Sequence, residues 1–182
     1  LLNATAQLQW PLAGEMTADG HLPSHDKLEA LSESGFALAI QLLGSHEDAA
    51  DVVQDALRKL VHSGHYKAEK GNLLAWFLKV VRNGALDALR QRRRNDEEAF
   101  AMLTANDSPP NIAVEQEELA GIMRRQLEAM PMAQREIVLL RDFHDLSYAE
   151  IAKVLDIPAG TVMSRLYRAR NELRERMKKY LQ

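Results

Sequence analysis

SYAEIAKVLDIPAGTVMSRLYRAR, Ser147 to Arg170, joins a helix-start signature to a run of arginines inside a chain whose formal charge is -3. Ser147 followed three residues later by Glu150 is a capping box, in which hydroxyl and carboxylate satisfy backbone N–H groups that a helix start leaves unpaired. The spacing predicts a short helix from there to about Leu155. Asp156-Ile157-Pro158 reads as a tight connection, and a long helix is expected from about Ala159. Along it Val162, Leu166, Ala169, Leu173 and Met177 form one apolar stripe. A short capped helix, a turn of three or four residues and a second helix opening on small residues describe a helix-turn-helix.

Such a motif places the start of its second helix in a DNA major groove. Short Ala159, Gly160 and Thr161 permit close approach, and N–H groups at a helix start can meet phosphate. Thr161, Ser164, Arg165 and Arg168 fall off the apolar stripe, and a guanidinium suits both phosphate oxygens and a guanine edge because it donates two parallel hydrogen bonds. The plainer alternative is a solvated face on which Arg165, Arg168, Arg170 and Arg174 pair with Glu172 and Glu175 at helical spacing. Capping box, turn and small-residue start together favour DNA.

Working outward, the modest net charge hides a block pattern. From Leu78 to Arg94 the chain carries Lys79, Arg82, Arg90, Arg92, Arg93 and Arg94 against Asp87 alone. Asn95 to Glu118 then carries Asp96, Glu97, Glu98, Asp107, Glu115, Glu117 and Glu118 and no base. Basic residues return from Arg165 to Lys179. In nucleic-acid binders this distribution matters more than the sum.

The 182 residues are 46% hydrophobic but only 5% aromatic, and Ala, Leu, Glu and Arg abound, so an all-α protein packed by aliphatic side chains is expected. Cysteine is absent, which removes disulfides and thiolate metal sites and fits a reducing, cytoplasmic setting. The start LLNATAQLQWPLAGE lacks the basic segment of a signal peptide, and no apolar run has the length of a membrane span, so no membrane insertion is expected.

Paired prolines in Asp107-Ser108-Pro109-Pro110-Asn111 are the strongest break. The reading is two small helical domains joined by a flexible acidic linker: residues 1–23 an unassigned extension, 24–94 the first domain, 95–112 the linker, and 113–182 the second domain with the helix-turn-helix. In the first domain a helix is expected from Lys27 to Leu43, interrupted or bent at Gly35 and ended by Gly44. Ser45 and Asp48 resemble a capping box for a second helix with Ala50, Val53, Leu57 and Leu60 inward and Asp51, Gln54, Asp55 and Arg58 on its other face. After a polar loop, a long helix buries Leu74, Phe77, Leu78, Val81, Ala85 and Leu89 and turns Lys79, Arg82, Asn83, Asp87 and Arg90 to a polar stripe. In the second domain, helices over Glu115 to Met130 and Ala133 to Phe143 are separated by Pro131.

The stretch from Leu127 to Met177, with EIA at Glu150 to Ala152 and TVMSRLYRAR at Thr161 to Arg170, resembles region four of bacterial sigma factors of the extracytoplasmic-function group. LLGSHEDAADVVQDALRKL and GNLLAWFLKVVRNGALDALRQRRR resemble region two of the same group, in the right order. The resemblance implies a promoter-specificity subunit that is not an enzyme, needs no cofactor or metal, binds core RNA polymerase through the beta-prime coiled coil and the beta flap, and is held by an anti-sigma protein. It implies minus-thirty-five contacts from Tyr148, Thr161, Ser164, Arg165 and Arg168. It implies minus-ten contacts from His65 and Lys67 in a base-capturing loop and from Lys79, Arg82, Asn83, Asp87 and Arg90. Asp48, Asp51, Gln54 and Asp55 match its polymerase-docking face, although Ala50 stands where Glu is common, Leu57 where Phe is common, and Met163 where the family often has Lys. Trp76 invites a stacking role, but its position in the LLAWFL run favours core or hinge. The acidic linker is either a nucleic-acid mimic or an ordinary tether.

A stand-alone helix-turn-helix regulator is the rival reading. It would need a ligand or phospho-acceptor domain, and the first half lacks the alternating strand and helix pattern of one. A metal site would draw on His46, His62, His65 and His144, but no HExxH or CxxC spacing occurs, and no phosphate-binding P-loop is present.

Overall fold

The computed structural model describes residues 23–62, 72–100 and 119–181, all of them in helices or short connections. Helix α1 spans His25–Leu43, α2 His46–His62, α3 Leu73–Phe100, α4 Leu119–Glu128, α5 Met132–Val138, α6 Tyr148–Leu155 and α7 Ala159–Met177. A π-helical turn, Leu139–Phe143, follows α5, and a 3-10 turn, Lys178–Tyr180, follows α7.

Local chemistry sets most of these bounds. Helix α1 stops at Gly44, whose φ of 67° is the left-handed cap that glycine adopts without a Cβ penalty. Ser45 then starts α2 by accepting from the Asp48 N–H at 3.3 Å, and Asn72 Oδ1 starts α3 by accepting from the Leu74 N–H at 2.9 Å. Pro131 sits at the cap of α5, where its missing N–H costs nothing.

Helices α1, α2 and α3 pack as a three-helix unit. Leu31, Leu38, Ala39 and Leu42 of α1 meet Phe77, Leu78, Val81 and Ala85 of α3 in its core. Fully burying a side chain such as Phe77 or Leu78 contributes roughly 1.5–3 kcal/mol each. The buried row of α2 is Ala49, Val53, Ala56 and Leu60. Ala50 is exposed instead, because a period of 3.6 places residue 49 rather than 50 in line with 53, 56 and 60. Trp76 packs, half-buried, against this core.

Two further expectations change. Helix α1 runs uninterrupted through Gly35, and the glycine serves packing: a Cβ there would lie 2.7 Å from Phe77 Cε1 and 3.2 Å from Val81 Cγ2. Helix α3 continues to Phe100, into the stretch read as linker from residue 95. Acidity alone does not stop a helix, and side-chain bonds such as Gln91 Nε2 to Asn95 Oδ1 at 3.2 Å and Arg94 Nη2 to Gln91 Oε1 at 2.8 Å support the turn that crosses the expected boundary.

Helices α4 to α7 form the second unit, with Leu127, Ile137, Leu140, Leu146, Ile151, Val162 and Leu166 inward. The helix expected over Ala133 to Phe143 starts at Met132 and widens at Leu139 into the π turn. The two units touch: α3 packs on α6 and α1 on α4, and the buried residues form one continuous cluster.

Gly35→Ala should destabilise the chain by about 1 kcal/mol net, because forcing a methyl against buried Phe77 costs roughly 1–3 kcal/mol while removing a helical glycine returns up to about 1 kcal/mol. Urea unfolding of the two proteins measures the difference.

Candidate nucleic-acid interface

The helix-turn-helix forms as its capping box dictates. Ser147 Oγ accepts from the Glu150 N–H at 3.3 Å and Glu150 Oε2 accepts from the Ser147 N–H at 2.8 Å, so both orphan donors at the start of α6 are satisfied. Burial works to raise the Glu150 carboxyl, but hydrogen bonds from the Ser147 side chain and backbone, and one from Asn72, hold it below its usual value. Asp156, in the left-handed region at φ 52°, ends α6, and α7 starts after Pro158.

On α7, Val162, Leu166 and Ala169 are buried while Met163, Ser164, Arg165, Tyr167 and Arg168 face solvent, with Thr161 half-buried. Ser164 Oγ donates back to the Thr161 carbonyl at 3.1 Å, and Arg168 Nε donates to the Ser164 carbonyl at 3.3 Å. Arg165 has no ion pair among the described residues. Tyr148 stands at the start of α6 with Arg141 stacked 5.7 Å from its ring centre. These five positions, assigned from sequence to duplex DNA, thus lie on α7 and the neighbouring start of α6.

The arginines of α7 differ in kind. Arg170 Nε donates to Asp142 Oδ2 at 3.1 Å and its Nη2 to Asp142 Oδ1, tying α7 to the π turn. That hydrogen bonding holds the guanidinium above its usual pKa. Arg174 donates to Asn171 and Arg176 pairs with Glu172. The pairing expected of a solvated face, Arg165, Arg168, Arg170 and Arg174 with Glu172 and Glu175, does not form: Glu172 takes Arg176 and Glu175 takes Lys178, which leaves Arg165 and Arg168 without an acid among the described residues.

Helix α2 presents Asp51, Gln54 and Asp55 to solvent. Arg58 joins two of them, donating to Gln54 Oε1 at 3.2 Å and pairing with Asp55 at 2.7 Å. Asp48 is half-buried and paired with Arg92 of α3, whose Nη1 also reaches the Leu43 carbonyl at 3.3 Å. Asp48 is thereby tied inside its own unit.

The stripe of α3 is divided. Asn83, Asp87 and Arg90 are exposed, with Arg90 Nη1 2.8 Å from Asp87 Oδ1. Lys79 and Arg82 instead meet the second unit: Lys79 Nζ lies 2.8 Å from Asp156 Oδ1, and Arg82 grips Glu136 with Nε to Oε2 at 2.8 Å and Nη2 to Oε1 at 3.1 Å. Lys79 holds the Asp156 carboxyl below its usual value by hydrogen bond and charge. His65 and Lys67 lie outside the described residues, as does the side chain of His62.

Residues 34–95 match the family Sigma-70 region 2, and residues 120–173 match Sigma-70, region 4. The ECF RNA polymerase sigma factor EcfG of Rhodopseudomonas palustris is 31% identical over 151 residues, covering 81% of this chain and 81% of that protein. The chain belongs to the ECF RNA polymerase sigma factors. SigE of Mycolicibacterium smegmatis, another ECF sigma factor, is 30% identical over 164 residues, which cover 87% of this chain and 63% of SigE, so this chain spans less than two thirds of that relative. The sigma factor RpoE of Bartonella quintana, solved in complex with the anti-sigma factor NepR, superposes with a TM-score of 0.69 at 27% identity, covering 84% of this chain and 95% of that one.

In this sigma factor two large exposed side chains lie beside these five positions: Tyr167, which the sequence reading passed over, and Met163, noted there only as standing where the family often has Lys. Met163 is 64% and Tyr167 67% exposed, and with Tyr148, Leu166, Arg170, Asn171 and Arg174 they line a groove of about 250 Å³. The signal was available: both are large, four residues apart, and off the buried stripe of α7.

His144 closes the π turn, and burial pushes its imidazole down to about 4 from 6.5. The unfolded chain therefore takes up this proton first, so stability falls as pH drops from about 6.5 to about 4 and levels off below. Residual solvent contact of the half-buried ring keeps the loss below that of a fully buried one. Denaturant unfolding above pH 5, before the carboxylates titrate, should show this slope in the parent and a flatter one in His144→Gln.

Proposed function

We propose that this chain directs core RNA polymerase to promoters, with residues 24–94 taking the melted minus-ten element, residues 113–182 reading the minus-thirty-five duplex, and the intervening acidic stretch joining them. The observation that carries the duplex assignment is that α7 keeps Ser164, Arg165 and Arg168 in solvent while its acids are engaged or absent around them. Guanidinium groups so placed reach phosphates and guanine edges as α7 enters a major groove. Tyr148 and Thr161 complete that contact set.

Asn83, Asp87 and Arg90 offer donors, acceptors and charge to a melted strand, and the loop with His65 and Lys67 supplies its base-capturing part. Polymerase docks on α2 through the beta-prime coiled coil, chiefly at Asp51, Gln54 and Asp55, while Asp48 fixes the helix through Arg92. The second domain meets the beta flap. An anti-sigma protein covers both domains, a reading supported by the similar Bartonella sigma factor, whose structure holds one.

Binding of the full chain to core RNA polymerase tests docking without knowledge of any promoter. Asp51→Arg should weaken it about tenfold with the fold unchanged, since reversing an exposed charge removes complementarity and adds repulsion. Unaltered affinity would remove α2 as the docking face. Arg168→Ala should leave polymerase affinity intact and lower affinity for a duplex selected from randomised DNA, with a log-log salt slope shallower by about 0.9 for each phosphate that Arg168 neutralises. An unchanged slope and affinity would discard that role for Arg168.

A further inference from the structure

The stripe of α3 and the second unit are in competition. Glu136 is 5% exposed, one of two buried polar or charged residues among those described, and its carboxylate is gripped through both oxygens by Arg82, whose side chain is itself only 15% exposed. Three further polar links cross the same boundary. Lys79 reaches Asp156, the Asn72 side chain hydrogen-bonds Glu150, and Arg135 Nη1 of α5 donates to the Gln41 carbonyl of α1 at 2.8 Å. Lys79 and Arg82 are two of the three cations of α3 that the minus-ten assignment places along a DNA strand, Arg90 being the third.

We infer that Glu136 and Asp156 act as a built-in competitor of the single strand, closing the free chain by occupying Lys79 and Arg82. This rests on the minus-ten assignment given above. Both ligands offer the same chemistry, anionic oxygens to a guanidinium and an ammonium, and Arg82, its side chain only 15% exposed while Glu136 holds it, presents little of itself to a strand until that contact opens. The closed form leaves Ser164, Arg165 and Arg168 of α7 exposed. It is therefore selective: duplex-facing residues stay free while part of the strand-facing stripe is covered.

The contact is also suited to opening. A buried ion pair gains in attraction little more than it loses in desolvation, so exchanging carboxylates for phosphates changes the balance slightly. Binding to an open form present as a minor fraction is weakened by that fraction, and removing the competitor restores it.

The chain has no cysteine, so Ala37→Cys in α1 and Lys153→Cys in α6, both exposed, give two spin-label sites in the full chain for distance measurement by double electron–electron resonance. The expected result is one short distance in the labelled parent, a longer population when Glu136→Gln and Asp156→Asn are added, and return to the short distance when Arg82→Glu is combined with Glu136→Arg. The Glu136→Gln, Asp156→Asn chain should also bind a mixed-sequence single strand up to about tenfold more tightly, for an open fraction near a tenth. A long distance in the parent, or a short one that survives neutralisation, overturns the competitor. Opening with unchanged strand affinity overturns the competition as well. If neither chain binds the strand, core-polymerase binding measured alongside decides whether the promoter reading falls with it.

Discussion

Burial of one stripe of α3, centred on Phe77, is the constraint from which the rest follows. Phe77, Leu78, Val81 and Ala85 are wholly enclosed, and the close approach of α1 that encloses them requires a glycine at position 35. Once that stripe is fixed inward, helical geometry alone decides that Lys79, Arg82, Asn83, Asp87 and Arg90 point away from the three-helix core. The polar stripe of the first unit is thus a by-product of its packing. Had the apolar row been displaced by one residue, the cations would have faced elsewhere by about 100°.

The helix-turn-helix is governed more locally. A capping box, a left-handed aspartate and a proline lie within a dozen residues of one another and define α6, the turn and the start of α7 with little help from distant parts. This is why Ser147 to Arg170 could be read directly. Each signal is a short-range rule of backbone satisfaction, and the buried row Val162, Leu166 and Ala169 follows from period alone.

What eluded the sequence was long-range or depended on a neighbour's shape. The partners of Arg82 and Lys79 stand 54 and 77 residues away, and no pattern along the chain couples such positions. Arg170 finds its acid in Asp142, 28 positions earlier and outside its own helix. Gly35 carries the composition of a bend and the function of a contact. The course of α3 past residue 95 shows the same limit from another side: charge composition marks a solvated segment, whereas only a stop signal ends a helix.

The π turn at Leu139–Phe143 has a bearing on how this protein can vary over time. It lets the His144 N–H reach back to the Leu139 carbonyl, five residues earlier, rather than the usual four, so the chain here holds one residue more than an α-helical path would need. An extra residue held in this way is taken up by the wider turn, so its loss would restore ordinary winding while Glu136 before it and Tyr148 and α7 after it kept nearly their present directions. Loss of a residue from an ordinarily wound turn has no such slack and would rotate all that follows by about 100°. The π turn is thus the point between α5 and α6 at which the chain can change its length by one residue at least cost to the aim of α7.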